Sequence, residues 1–250
     1  MLSSLAARDA ENAAYRDLAG ARVLLTGVPR GAGLGLVRAF GRVRARLVVQ
    51  STDGGAELGA LAADLARMGV EIRLETRPFE QAVSAARFAQ DAARRLGGID
   101  AVVNVISMTA AERARALSSD DAEESIHDIL LPACLVTRVA ANRMRMMLKG
   151  GSIVNILAPP PAVTRASSAF ASFARAALAA MTRIEARAWS RDGVRVNAMC
   201  LAPDENRGAG LSAPSRDDRM AALALRLSSR EGRRISGLVL DPEHGLDGPF

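Results

Sequence analysis

The segment LLTGVPRGAGLGL (24–36) places Thr26, Gly27, Arg30, Gly31 and Gly33 between an apolar run and a helical pattern. Glycines in a strand-to-helix turn let the backbone bend tightly and approach a ligand closely, so that helix N–H groups can face a pyrophosphate. A second segment, SSAFASFARAAL (167–178), lies where such a nucleotide-binding chain would carry its proton donor. It offers Ala171, Ser172, Phe173 and Arg175, and no Tyr, Lys, His or carboxylate. Ser167 and Ser168 read as helix caps, since an unassisted serine hydroxyl has no lowered pKa. Neither histidine, His127 nor His244, has a partner at metal-ligand spacing, so no metal is expected.

These residues need a scaffold, and the chain supplies one as apolar runs alternating with helical patterns. The runs are 21–27, 45–51, 71–77, 100–107, 152–158, 194–200 and 236–241. Helical patterns fall at about 33–42, 56–69, 80–96 and 120–147, and again from 167 onward. Continuous Val, Leu and Ile between helices, without strict alternation, predict a parallel sheet buried on both faces. The expected fold is therefore α/β: a single doubly wound Rossmann-type domain over 21–250 with a seven-stranded parallel sheet, preceded by an N-terminal extension, 1–20. The Gly-, Pro- and Asp-rich stretch 203–218 reads as a loop.

The 250 residues suffice for one large α/β domain, and 49% hydrophobic with 24% charged residues fits a globular chain. No secretory leader or membrane-spanning run is recognisable, so a cytoplasmic location without a membrane partner is expected. Cys134 and Cys200 lie in apolar periodic segments and read as reduced core thiols. The net charge of +6 comes almost entirely from arginine in small groups, with Lys149 the single lysine. Only 3% of residues are aromatic, which argues against stacking platforms and hence against a nucleic-acid partner. Solvated arginines on helix faces account for the charge, and an acidic partner or phosphorylated ligand is the other reading.

The spacing Thr-Gly-x-x-x-Gly-x-Gly (26–33) resembles the short-chain dehydrogenase/reductase family, and other stretches follow in that family's order. DLAGARVLLTG (17–27), GGIDAVVNV (97–105), GGSIVNI (150–156), RAALAAMTR (175–183), GVRVNAM (193–199) and ISGLVLDPEHG (235–245) resemble its landmarks, with β-ketoacyl-acyl-carrier-protein reductase-like members the nearest in kind. The resemblance implies NADP(H) as cofactor. Arg30 stands where NADPH users carry a cation, and Ser51 where many NAD users carry an Asp. It also implies Asn104 and Arg175 as cofactor contacts beside Thr26, Gly27, Gly31 and Gly33. Other positions depart from the pattern. Pro29 replaces a small polar residue, Val105-Ile106-Ser107 replaces Asn-Ala-Gly, Thr76 replaces an Asp set against adenine, and Leu201-Ala202 replaces Pro-Gly. Retention and loss of the dinucleotide both stay open.

In the family the chemistry rests on Tyr, a Lys four residues later, a Ser and an Asn. The resemblance puts Ala171, Arg175, Ala158 and Ile129 at these places, so no catalytic residue is assigned. Tyr15 precedes the first strand, and no Tyr-x-x-x-Lys pair exists in the chain. Arginine does not titrate in the working range and has no phenol to tune. Ala171, Ala174, Ala176, Ala177 and Ala179 are expected to allow close helix approach in a homo- or hetero-oligomer, a dimer or tetramer with a homologue. Three readings remain. The first is a non-catalytic subunit beside an active homologue, serving an acyl-CoA or acyl-carrier-protein ligand. The second is a divergent NADPH-dependent reductase, and the third a nucleotide-sensing protein.

Overall fold

The computed structural model describes residues 15–29, 32–51, 55–79, 81–108, 122–158, 165–201 and 215–240. Seven strands are β1 (Arg22–Val28), β2 (Arg46–Ser51), β3 (Ile72–Glu75), β4 (Ala101–Ser107), β5 (Gly151–Ala158), β6 (Val194–Cys200) and β7 (Val239–Leu240). They form one sheet in the order β3-β2-β1-β4-β5-β6-β7, every pair parallel. Among the described residues six helices connect them: α1 (Ala32–Arg42), α2 (Ala56–Arg67), α3 (Ala82–Leu96), α4 (Ala122–Met146), α5 (Arg165–Ala188) and α6 (Arg216–Ser228). The order reverses direction between β1 and β4, and the crevice beyond the strand ends at such a point is where doubly wound sheets bind ligands.

Side chains alternate across each strand, which divides the core into layers. On one face Leu25, Val49, Val103, Val154 and Met199 pack against Leu36 and Phe40 of α1, Leu58 and Leu65 of α2, and Met220 and Leu225 of α6. On the other, Leu24, Val48, Val102, Ile153 and Val196 meet the alanines of α3 and Val136, Ala140 and Met144 of α4. Four residues further along β4 and β5, and two to four along β6, a third cluster joins Ile106, Leu157, Ala198 and Cys200 to Leu130 and Ala133 of α4 and Phe170, Ala174 and Leu178 of α5.

Between the second and third clusters runs a polar row. Thr26, Asn104 and Asn155 are in direct register on β1, β4 and β5, all buried, with buried Thr137 of α4 above them. Gln50 of β2 lies on the same face, two residues beyond Val48 and wholly buried. A polar group placed there must find its partners within the protein, because leaving one unsatisfied costs about 1–3 kcal/mol.

The other end of the sheet is held by charge. Arg22 donates two hydrogen bonds to Asp100, at 2.8 and 2.6 Å, and a further one to the Gly97 carbonyl. Arg46 grips Glu71 at 2.6 and 2.9 Å. Arg195, at the start of β6, donates to the carbonyls of Leu227, Gly232 and Ser229 at 2.6, 2.7 and 3.2 Å. The guanidinium thus ties the C-terminus of α6 to the turn after it, where the Leu227 and Gly232 carbonyls also accept from the Ser152 hydroxyl and the Ile235 amide, and the helix dipole favours a cation there.

Three expectations change. The loop expected over 203–218 gives way to α6 at Arg216, because Ser215 and Asp218 form a capping box that starts the helix. The strand expected at 236–241 is confined among the described residues to Val239–Leu240. Of the alanines expected to face a partner helix, Ala174 is buried in its own core, Ala171, Ala177 and Ala179 are half-covered, and only Ala176 is exposed. The exposed stripe of α5 is instead Ala169, Phe173, Ala176, Ala180 and Ile184, spaced by three and four residues along one helix face. Residues 15–20 pack onto the domain: Leu18 enters the core and Asp17 accepts a 2.7 Å hydrogen bond from the Arg230 amide.

Candidate functional site

The glycine turn begins where β1 ends. Gly27 has φ +65°, and a Cβ there would overlap the carbonyl oxygen of Val105 on β4, so both backbone conformation and space require glycine. Gly33, in the first turn of α1, lies against the Val28 side chain and the Pro29 ring, which a Cβ would meet. Close strand-to-helix packing of this kind is the role of the last glycine in such turns. Arg30 and Gly31 lie outside the described residues.

Thr26 donates from Oγ1 to Oδ1 of Asn104 at 2.7 Å. Asn104 donates from Nδ2 to Oδ1 of Asn155 at 2.7 Å and lies 3.3 Å from Oγ1 of Thr137. The Asn104 carboxamide is thus engaged on both sides within the protein. Asn155 keeps one buried donor, Nδ2, without a hydrogen-bond partner.

β2 closes on the turn from the other side. Gln50 accepts from the Gly27 amide at 2.7 Å and donates to the carbonyls of Arg77 and Ser51 at 2.8 and 3.0 Å. The hydroxyl of Ser51, itself buried, donates to the Val28 carbonyl at 2.9 Å. Neither Gln50, Asn155 nor Thr137 is among the residues singled out from the sequence. Their signal was polar residues inside otherwise apolar strand and helix runs, which demand a buried network.

Over the ends of β4 and β5 the surroundings are apolar. Ile129 and Met108 pack partly buried onto the cluster of Ile106, Leu157, Phe170 and Ala174. Ala158 ends β5 and packs on the opposite layer. Ala171 is half-covered, and Arg175, one turn later on α5, is exposed. The Ser172 hydroxyl donates to the Ser168 carbonyl at 2.9 Å, a bond back along its own helix. His127 is exposed, 3.6 Å from the neighbouring Asp128 carboxylate. The structure therefore brings Thr26, Gly27 and Asn104 together and seats Gly33 beside them, while Arg175 stands on the exposed side of α5.

Displaced ionisation lies elsewhere. Burial raises the Asp100 carboxyl, and the hydrogen bonds and charge of Arg22, with Lys149, outweigh it and hold the group below its ordinary value. The Arg46 hydrogen bond lowers Glu71 in the same way. Burial lowers Arg195 and raises the half-buried Cys134 thiol. Neither Cys134 nor Cys200 is in a disulfide, and of the two only Cys200 is fully buried. Among the described residues there is no cluster of His, Cys, Asp and Glu able to hold a metal, and no helix long and apolar enough to cross a membrane. A cleft of about 510 Å³ opens between α6 and the segment leading into β7, lined by Leu223, Arg226, Arg234 and Leu240, and none of the predicted site residues lines it.

Comparison with known proteins agrees with this architecture. The chain is 26% identical over 245 residues to an uncharacterised oxidoreductase of Mycobacterium tuberculosis (strain CDC 1551 / Oshkosh), covering 90% of this chain and 92% of that one. Among solved structures, a short-chain alcohol dehydrogenase of Sinorhizobium meliloti 1021 superposes with a TM-score of 0.72 at 21% identity, covering 91% of this chain and 96% of the other. A short-chain dehydrogenase/reductase of Serratia marcescens BCRC 10948 gives 0.72 at 20% identity, over 90% and 96%. An enoyl-(acyl-carrier-protein) reductase of Anaplasma phagocytophilum, solved with NAD, gives 0.68 at 18% identity, over 90% and 93%. Residues 21–205, from β1 through the glycine turn and past β6, match the family described as short chain dehydrogenase, and the chain belongs to that family.

Proposed function

We propose that this chain is a non-catalytic member of its family that works as a subunit beside an active homologue. The observation that carries the reading is the apolar filling above β4 and β5. There Ile129 and Ile106 pack with Leu157 and Phe170, and Ala158 and Ala171 supply no hydroxyl. A positioned general acid or base is worth about 10²–10⁴ in rate, and no described residue at the strand ends offers one. Arg175 cannot stand in, since a guanidinium neither titrates near neutral pH nor has a phenol beside it to tune.

Family members generally bind NAD(P) and are often oligomeric. The exposed stripe on α5 supports assembly here: Phe173 is 62% and Ile184 65% exposed, with Ala169, Ala176 and Ala180 between them allowing close approach. Desolvating two such side chains favours burial against a partner helix by about 2–4 kcal/mol. The arginine-rich surface suits an acyl-CoA or acyl-carrier-protein ligand bound by the assembly. The Anaplasma neighbour's action on an acyl-carrier-protein substrate is consistent with that class.

The test is native mass spectrometry of the chain purified from its own host. The expected result is a stable complex with a second family member. A chain that alone oxidises NADPH with a carbonyl substrate would overturn the reading and favour a divergent reductase. That second reading draws its support from the intact geometry of Gly27, Gly33 and the Thr26–Asn104 pair. Within it, Arg30 and Ser51 favour NADPH over NADH, because an acidic residue at the end of β2 would repel a 2′-phosphate.

A further inference from the structure

A dinucleotide whose pyrophosphate sits at the N-terminus of α1 must lay its adenosine half over the carboxyl ends of β1 and β2. In this chain those strand ends are bound to each other. Oε1 of Gln50 takes the Gly27 amide at 2.7 Å, and Nε2 reaches across to the Arg77 carbonyl beyond β3 at 2.8 Å. Ser51, the residue at the end of β2 that would address the ribose, turns its hydroxyl inward to Val28. On the opposite side the Val105 carbonyl presses on Gly27. Gln50 has no accessible surface, so its amide already occupies the space between the glycine turn and the exit of β3.

We infer that Gln50 is an internal stopper of the crevice: it holds the glycine turn closed and keeps the dinucleotide out. The physical requirement is plain. A nucleotide entering there must break three hydrogen bonds of a buried carboxamide and find that carboxamide new partners, a penalty that weakens binding by roughly tenfold or more. The inference deepens the non-catalytic reading and rests on it for the absence of a working cofactor, but its test involves no turnover and no partner.

The experiment is equilibrium titration of the wild-type chain, Gln50→Ala and Gln50→Ser with NADPH, and separately with adenosine 2′,5′-bisphosphate, which carries the adenosine half alone. Circular dichroism and Tm check that each variant is folded. Wild type is expected to show no saturation at millimolar ligand, and both variants to gain at least about tenfold in affinity for both probes. Micromolar binding by wild type, or a folded variant that gains nothing, overturns the stopper. Should both variants fail to fold, hydrogen exchange of wild type decides. A Gly27 amide that stays protected and unchanged by NADPH supports the stopper, and one that exchanges like an open loop refutes it. A wild type that binds NADPH would leave the co-purification result untouched, and a chain found without a partner would leave the titrations untouched.

Discussion

The two ends of the sheet solve the same problem, covering the open ends of strands and helices, in opposite ways. At the amino ends the protein uses charge: Arg22 with Asp100, Arg46 with Glu71, and Arg195 on the last carbonyls of α6. At the carboxyl ends it uses neutral amides and hydroxyls turned inward, Thr26 to Asn104 to Asn155, with Gln50 on Gly27, and then an apolar lid of Ile106, Leu157 and Phe170. In doubly wound folds the carboxyl ends are where ligands are met. Among the described residues this end is packed like core along β1, β4 and β5, and the ion pairs of Arg22 and Arg46 lie at the opposite end. The difference teaches that one sheet can be closed by ion pairs at one end and by neutral hydrogen bonds and apolar packing at the other.

Substitutions at the two ends can break this comparison. The largest effect is expected for Gly27→Ala. Its Cβ overlaps the Val105 carbonyl and its φ disfavours any side chain, so about 3 kcal/mol or more of stability should go, seen as a large fall in Tm. Ready tolerance would mean the carboxyl end is looser than described. Next is Arg195→Met at the charged end. It removes the charge-assisted hydrogen bonds to the Leu227, Ser229 and Gly232 carbonyls, of which Leu227 and Gly232 keep the Ser152 hydroxyl and the Ile235 amide, and should cost about 2–3 kcal/mol in urea unfolding. Asn104→Ala follows at about 2 kcal/mol, because it orphans Thr26 and Asn155 together.

Asp100→Asn should cost about 1 kcal/mol after allowance for its partial exposure, and it should show a signature the neutral row cannot. The native carboxyl titrates below its unfolded value. Its contribution is therefore full above the unfolded pKa and fades as pH falls through the native one. Unfolding free energy measured from neutral to acidic pH should fall less steeply in Asp100→Asn, whereas Asn104→Ala should keep the wild-type slope. The smallest effect has the opposite sign. Leu148, two residues past the end of α4, has φ +53° and is 92% exposed, so Leu148→Gly relieves a left-handed strain and should stabilise by about 0.5–1 kcal/mol.

Much of the fold was legible because the signals are local and repeated. The Val-, Leu- and Ile-rich runs at 21–27, 100–107 and 152–158 mark buried parallel strands whatever else the chain does. The glycine spacing at 26–33 likewise announces its turn. Helix α6 was harder to see, because its Arg- and Asp-rich start resembles the loop before it. The capping residues Ser215 and Asp218 were the available clue. The partnership of Gln50 with Gly27 and Arg77 was not legible at all. It joins residues far apart in the chain, and a glutamine inside an apolar run signals a buried polar group without naming its partners. The orientation of α5 failed for a related reason: an alanine-rich helix has too little hydrophobic contrast to show which face turns inward, and Phe170 and Leu178 decided it.

The buried amide row also bears on how such a chain can change over generations. Each member satisfies another, so replacing Asn104, Asn155 or Thr26 singly leaves an orphan, while replacing facing partners together by apolar residues removes the debt at both ends. Single steps away from the row run uphill, and only paired ones run level. Together with the steric fit of Gly27 under Val105, this gives the nucleotide-type turn a reason to persist that has nothing to do with a nucleotide. A glycine motif of this kind is therefore held in place by the packed interior it closes, whatever ligand the turn meets.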